Sequence, residues 1–296
     1  MSTRDAPEYV ASDYQTARPR YKDSVVDTIL AYHSRNNPGA GYDLAVDIGT
    51  GTGIFARQLP DHFSRVIGTD ISADMLQSAR DATPDGSVEY VEAPSEDLSF
   101  LQDKSVDMIT VATAAHWFDL EKFVKEAERV LTPNGTLAMF SYTGFIHNVD
   151  YPQCNRIMKK WLQQDEKSGG TMGNRYNNLR DGYRKYHRIF ARDSWTDIER
   201  RITYDSFDGE PSSEYPPVMD PYLDMVEFTN TWRNIENYWK TASSMVRFRK
   251  QNPGRQTPIG EAIREMKAAS GVDDMDVDMA AEWEQVLLMS HPPSIQ

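Results

Sequence analysis

"VDIGTGTGIF" (residues 46–55) joins the end of an apolar run to the start of a helix-like one, with Gly49, Gly51 and Gly53 at every second position. Glycine turns tightly without a side-chain penalty and leaves bare backbone for a ligand to approach. A helix starting after such a turn points its unpaired N–H groups at that ligand. A dinucleotide loop places its third glycine one step later, as G-x-G-x-x-G; here Ile54 stands at that step. Asp47, just before the loop, would repel a pyrophosphate but suits a ligand carrying an ammonium group.

The flanking sequence alternates between two periods. Residues 42–49, 65–70, 87–93, 105–112 and 136–143 read as strands. Residues 53–63, 72–82 and 119–131 read as helices, the second with Ser72 as its N-cap. In 119–131 one stripe carries Leu120, Phe123, Val124, Ala127, Val130 and Leu131. Such alternation predicts right-handed parallel crossovers and an α/β sheet covered on both faces. Segments 197–207 and 276–290 are expected to complete a seven-stranded, mostly parallel sheet. The chain then reads as one domain, 1–296: an N-terminal lid (1–36), a cofactor-binding core (41–143), and helical cap insertions at 144–196 and 208–270.

Composition excludes several classes. A net charge of −13 over 296 residues argues against a nucleic-acid or anionic-membrane surface. No run approaches the roughly 20 apolar residues that span a bilayer. The polar, acidic start has no secretory core, and Cys154 stands alone, so a cytoplasmic location is expected. The six histidines show no close helical ligand spacing, and no HExxH, G-x-S-x-G or P-loop occurs, so no metal is expected. The one basic stretch, "VRFRKQNPGR" (246–255), is either a solvated helix end or a local anion patch.

The second strand ends in Asp70, about twenty residues past the loop, where a carboxylate can accept both hydroxyls of a ribose. An acidic residue, G-x-G-x-G, a strand-end aspartate and βα alternation together resemble the class I S-adenosylmethionine-dependent methyltransferases, with their Rossmann-like fold. The resemblance implies that Asp47, Gly49, Thr50, Gly51 and Gly53 line the amino-acid half of S-adenosyl-L-methionine, and that Ala112 borders it. It implies that Asp70 holds the ribose while Ile71 and Met75 pack on the adenine. Where many relatives carry an adenine-binding aspartate this chain has Pro94, so Ser95 and Glu96 take over that expectation.

"VDMITVATAAHWFDLEKF" (106–123), "RVLTPNGTLAMF" (129–140) and "YQTARPRY" (14–21) are similar to the fungal trans-aconitate methyltransferases, and "APSEDL" (93–98) to the cantharidin-resistance group. Those families esterify carboxylates of small acids or methylate oxygen on other small molecules. The resemblance therefore implies a carboxyl O-methyltransferase acting on a small di- or tricarboxylic acid or a larger metabolite acid, with S-adenosyl-L-homocysteine as co-product.

Ligands of open parallel sheets bind beyond the strands' carboxyl ends, so His116 and Trp117 are expected as catalytic and substrate-contacting residues. Tyr14, Arg18 and Tyr21 from the lid, with Trp232 and Arg233 from the cap, complete the candidate substrate set. Pro19 disfavours helix at Arg18, as an extended lid requires; Arg18 serves either the substrate or the cofactor's own carboxylate. Three rivals stand beside this reading: a hydroxyl acceptor with His116 as base, a non-transferase cofactor or lipid binder on the same fold, and an NAD enzyme.

Overall fold

Long runs of buried residues without polar alternation form the middle of the sheet, as expected where both faces are covered. The computed structural model describes residues 11–35, 37–167, 181–203 and 216–293. Residues 1–10 and 36 of the expected lid, 168–180 and 208–215 of the cap, and 204–207 of the expected strand 197–207 lie outside these. The first half of the chain runs α1 (Ala11–Ala17), β1 (Arg20–Tyr21), α2 (Asp23–Ser34), β2 (Leu44–Ile48), β3 (Arg65–Asp70), α3 (Ala73–Asp81), β4 (Glu89–Glu92), β5 (Val106–Ala112), α4 (Leu120–Val130) and β6 (Leu131–Asn148). The second half adds α5 (Gln153–Lys167), α6 (Arg184–Arg192), β7 (Thr196–Ile202), β8 (Val218–Met219), β9 (Val226–Glu227), α7 (Trp232–Lys240), α8 (Ser243–Gln251), α9 (Pro258–Ser270) and β10 (Ala281–His291).

The main sheet has the order β4-β3-β2-β5-β6-β10-β7-β8, with β10 antiparallel to both of its neighbours and the other pairs parallel. Strand order reverses between β2 and β5, the switch point where such sheets bind ligands. Seven strands correspond to those expected from sequence; the eighth, β8, is a two-residue edge. The expected helix over 53–63 is instead a set of turns with one 3₁₀ segment, Ala56–Gln58. A second sheet of two strands, β1 against β9, ties the N-terminal segment to the cap with Arg20 opposite Glu227 and Tyr21 opposite Val226. Among the described residues no helix is long and apolar enough to cross a membrane.

Local chemistry sets the boundaries near the switch point. Ser72 caps α3 by accepting from the Met75 N–H, as its N-cap position requires. Asp119 caps α4 by accepting from the Lys122 N–H. Along α4, Phe123, Val124, Ala127 and Val130 are buried against the sheet.

Asp107 joins β2 to β5. It is buried, and its Oδ2 accepts from the Asp43 and Leu44 N–H groups at 2.8 and 3.2 Å. Removing this acceptor orphans two backbone donors at the start of β2. Asp107→Ala is therefore expected to cost roughly 2–4 kcal/mol in urea unfolding; a loss under about 0.5 kcal/mol would refute this role.

Candidate active site

The glycine loop closes as the alternating pattern predicts, and each glycine does so for its own reason. Gly49, Gly51 and Gly53 have φ of +70°, +56° and +74°, values that suit glycine. A Cβ on Gly49 would lie 2.5 Å from the Ala114 methyl, and one on Gly53 2.4 Å from the Tyr90 hydroxyl, whereas one on Gly51 would meet open space. Gly51 is thus the bare backbone presented to the cleft. Asp47 sits beneath it, 1% exposed, accepting from the Thr50 hydroxyl at 2.6 Å and the Thr110 hydroxyl at 2.7 Å. Burial pushes its carboxyl up to about 6, with the two hydroxyls pulling it down and nearby Asp70 raising it further.

Asp70 ends β3 on the wall of the cleft. Its Oδ2 accepts from the Gly51 N–H and its Oδ1 from the Ser72 N–H, both at 2.9 Å. Burial raises its pKa against these and other backbone donors. Each oxygen keeps a lone pair for a ligand hydroxyl. The cleft is lined by Tyr14, Gly49, Gly51, Asp70, Ile71, Ser72, Met75, Ala93, Pro94, Ser95, Glu96, Thr113, Ala114, Trp117 and Phe118. Glu96 also accepts from the Asp119 N–H at 2.7 Å, which fixes the start of α4.

At the end of β5 the backbone takes an unusual turn. Thr113 has φ +54°, uncommon for a β-branched residue. Its N–H donates to the Phe140 carbonyl at 2.8 Å, and its hydroxyl shares a 2.9 Å hydrogen bond with the Tyr21 hydroxyl. The following 3₁₀ turn, Ala115–Trp117, is held from behind by the Tyr186 hydroxyl donating to the Ala115 carbonyl at 2.8 Å. His116 is half-buried, its ring 5.3 Å from that of Trp117.

The structure distributes the sequence-predicted residues unevenly. Gly49, Gly51, Asp70, Ile71, Met75, Ser95, Glu96, Tyr14 and Trp117 line one cleft together. Asp47, Thr50 and Gly53 lie beneath or behind the loop, and Ala112 packs against the core. His116 flanks Trp117 without being part of the cleft wall. Tyr21 is buried among Phe55, Phe140 and Tyr142, a latch on Thr113 rather than a cleft wall. Arg18 lies over the rings of Tyr14 and Tyr238 at 4.5 and 4.8 Å, and donates to the Thr241 hydroxyl and carbonyl, so it docks the lid on the cap.

Two expectations are corrected. Trp232 follows the N-cap Thr231 and turns inward to 1% exposure, so it packs in the core. Arg233, one position on, faces outward and forms a bidentate pair with Asp276 at 2.6 and 2.9 Å. Neither lines the cleft beside the glycine loop. Sequence reading passed over Ser72, Ala93 and Phe118 as cleft walls. The close approach of Gly49 to the Ala114 methyl appears only in three dimensions.

Comparison with known proteins agrees with this geometry. Residues 46–139 match a family described as a methyltransferase domain. Over 282 residues the chain is 27% identical to the probable S-adenosylmethionine-dependent methyltransferase CRG1 of Saccharomyces cerevisiae, covering 93% of each. It is 36% identical over 133 residues to a putative methyltransferase of Dictyostelium discoideum, covering 45% of this chain and 47% of that protein. A putative type II methyltransferase from Anaeromyxobacter dehalogenans shares its fold, with a TM-score of 0.63 at 22% identity, covering 93% of this chain and 99% of that one.

The Asp47 environment has a measurable consequence. Its folded-state pKa, about 6, lies above the ordinary 3.8, so the folded chain binds that proton more tightly than the unfolded one. The resulting stability is complete below about pH 4 and is lost as pH rises through about 6, a change of roughly 3 kcal/mol. Urea titrations of wild type and Asp47→Asn are expected to diverge across that window in favour of the variant; parallel curves would contradict it. Loop, strand-end carboxylate, switch-point cleft and relatives agree: residues 46–139 carry a methyltransferase domain, in a chain with the Rossmann-like fold of S-adenosylmethionine-dependent methyltransferases.

Proposed function

We propose that the chain forms methyl esters on a carboxylate of a small organic acid, most simply a di- or tricarboxylic acid. The observation that carries this is the wall at the β5 end of the cleft. Thr113, Ala114, Trp117, Phe118 and Tyr14 meet there, and none of them is an ordinary base at neutral pH. An acceptor that arrives already ionised needs none, only placement and exclusion of water. The resemblance to carboxyl-methylating families supports the same choice.

The residues present fit the donor. Gly51 offers backbone to a close ligand, and Asp70 has both oxygens oriented by backbone N–H groups to receive the ribose hydroxyls. Ile71 and Met75 flank the adenine, and Ser95 and Glu96 supply its polar contacts. When bound, S-adenosyl-L-methionine supplies an electrophilic methyl group on a sulfonium. Asp47 serves indirectly, holding Thr50 and Thr110 so that the loop keeps its shape beside a positive ligand. Trp117 contributes an apolar face and an indole N–H to the acceptor, and His116 supports Trp117. The whole chain works as one domain, with the N-terminal segment as lid and the helical insertions as cap.

Incubating the protein with donor and a panel of organic acids is expected to yield a product heavier by one methyl, seen by mass spectrometry. No methylated acid across the panel would overturn the carboxyl reading. His116→Asn is expected to change kcat on the acid less than about tenfold. A base acting on a hydroxyl acceptor would instead cost roughly 10²–10⁴, and such a loss would favour that rival. Trp117→Ala is expected to raise KM for the acid at least about tenfold, as loss of a buried aromatic contact would, while leaving S-adenosyl-L-homocysteine affinity within a few-fold.

A further inference from the structure

Tyr14 walls not one cleft but two. Its second side faces a larger cavity, about 750 Å³, between the N-terminal segment and the cap, within the size range of small-molecule sites. Among the described residues, Arg18, Arg20, Lys240 and Arg249 line it against one carboxylate, Glu227. In a chain of net charge −13, four cations facing one acid are a marked local reversal.

Helix ends account for part of this. Lys240 closes α7 and pairs with Glu236 at 3.1 Å, while Arg249, in the last turn of α8, donates to the Lys240 carbonyl; cations favour helix C-termini. They do not account for Arg18 and Arg20, which come from more than 200 residues earlier. The β1–β9 ribbon brings Arg20 to the cleft, and the Thr241 contacts bring Arg18. The same cleft offers the side-chain amides of Asn234 and Asn237 and an aromatic wall, Phe228, backed by Trp283 at 5.1 Å. Converging cations with neutral donors and an aromatic wall are the groups that recognise a multiply charged small anion.

We propose that the cleft between the N-terminal segment and the cap binds such an anion, a di- or tricarboxylate or a phosphate ester. Resting on the carboxyl reading above, its occupant is the non-reacting end of the acceptor, with the reacting carboxylate on the far side of Tyr14. Arg20 and Arg249 then select acids that carry more than one negative charge.

Binding can be read without turnover. Isothermal calorimetry on the full chain with S-adenosyl-L-homocysteine present would use citrate in one arm and glycerol 3-phosphate in the other. Binding in either arm, weakened at least about tenfold in Arg20→Gln/Arg249→Gln and not in the surface control Arg233→Gln, supports the site. The arm that responds identifies the anion class. Unchanged S-adenosyl-L-homocysteine affinity in the double variant separates a lost anion site from a misfolded protein. No heat in either arm, or equal affinities in wild type and double variant, overturns the proposal. Citrate binding without methyl-ester formation would retain this site while rejecting the carboxyl reading, so the two fail separately.

Discussion

A carboxylate buried at the tip of β2 governs the switch point. Asp47 has nearly no solvent, and two hydroxyls, from Thr50 and Thr110, stand in for water. Those bonds tie the glycine loop to β5, the strand that leads on to Thr113 and Trp117. Burial of this group raises its pKa instead of stabilising the ionised form, so the arrangement is a poor choice for stability alone. Groups held this way cluster where function requires charge. A cationic ligand above the loop would recover part of what burial costs the carboxylate.

Whereas α2 is tied to β6 and β7 through His33, Tyr32 and Arg35, the start of the N-terminal segment is bound to the cap. Its β-ribbon partner is β9, its arginine contact is Thr241, and α1 packs against both α3 and α7. Tyr21 reaches down to the end of β5 through the Thr113 hydroxyl, and Tyr14 walls the cleft beside it. The roof over the cleft is therefore assembled from residues far apart in sequence, and its integrity depends on a few polar contacts backed by aromatic packing around Tyr142, Tyr238 and Trp283.

The cofactor half was legible because its chemistry is local. Strand Arg65–Asp70, helix Ala73–Asp81 and its Ser72 cap follow directly from short sequence signals, and the glycine spacing names the loop. The helix expected over 53–63 fails for a physical reason. Gly53 lies in the left-handed region and Pro60 follows seven residues later, leaving room for one 3₁₀ turn. The two-residue strand Val218–Met219 has no period to detect. In the cap, aromatic and basic residues side by side suggest a site, but a single N-cap decides which way they point. Thr231 turns Trp232 into the core and leaves Arg233 to Asp276. The convergence of Arg18 and Arg20 with Lys240 and Arg249 spans more than 200 residues and carries no sequence period.

One side chain standing between two cavities couples their occupants. Tyr14 can take one rotamer at a time, and its ring already stacks under Arg18. A molecule on either side that favours a given position of that ring changes the free energy of the other by the same amount, whichever arrives first. With donor and acceptor in the two cavities as proposed, affinity for the donor measured alone and affinity measured beside an acceptor would be two different constants, and departure of one product would reset the fit of the other.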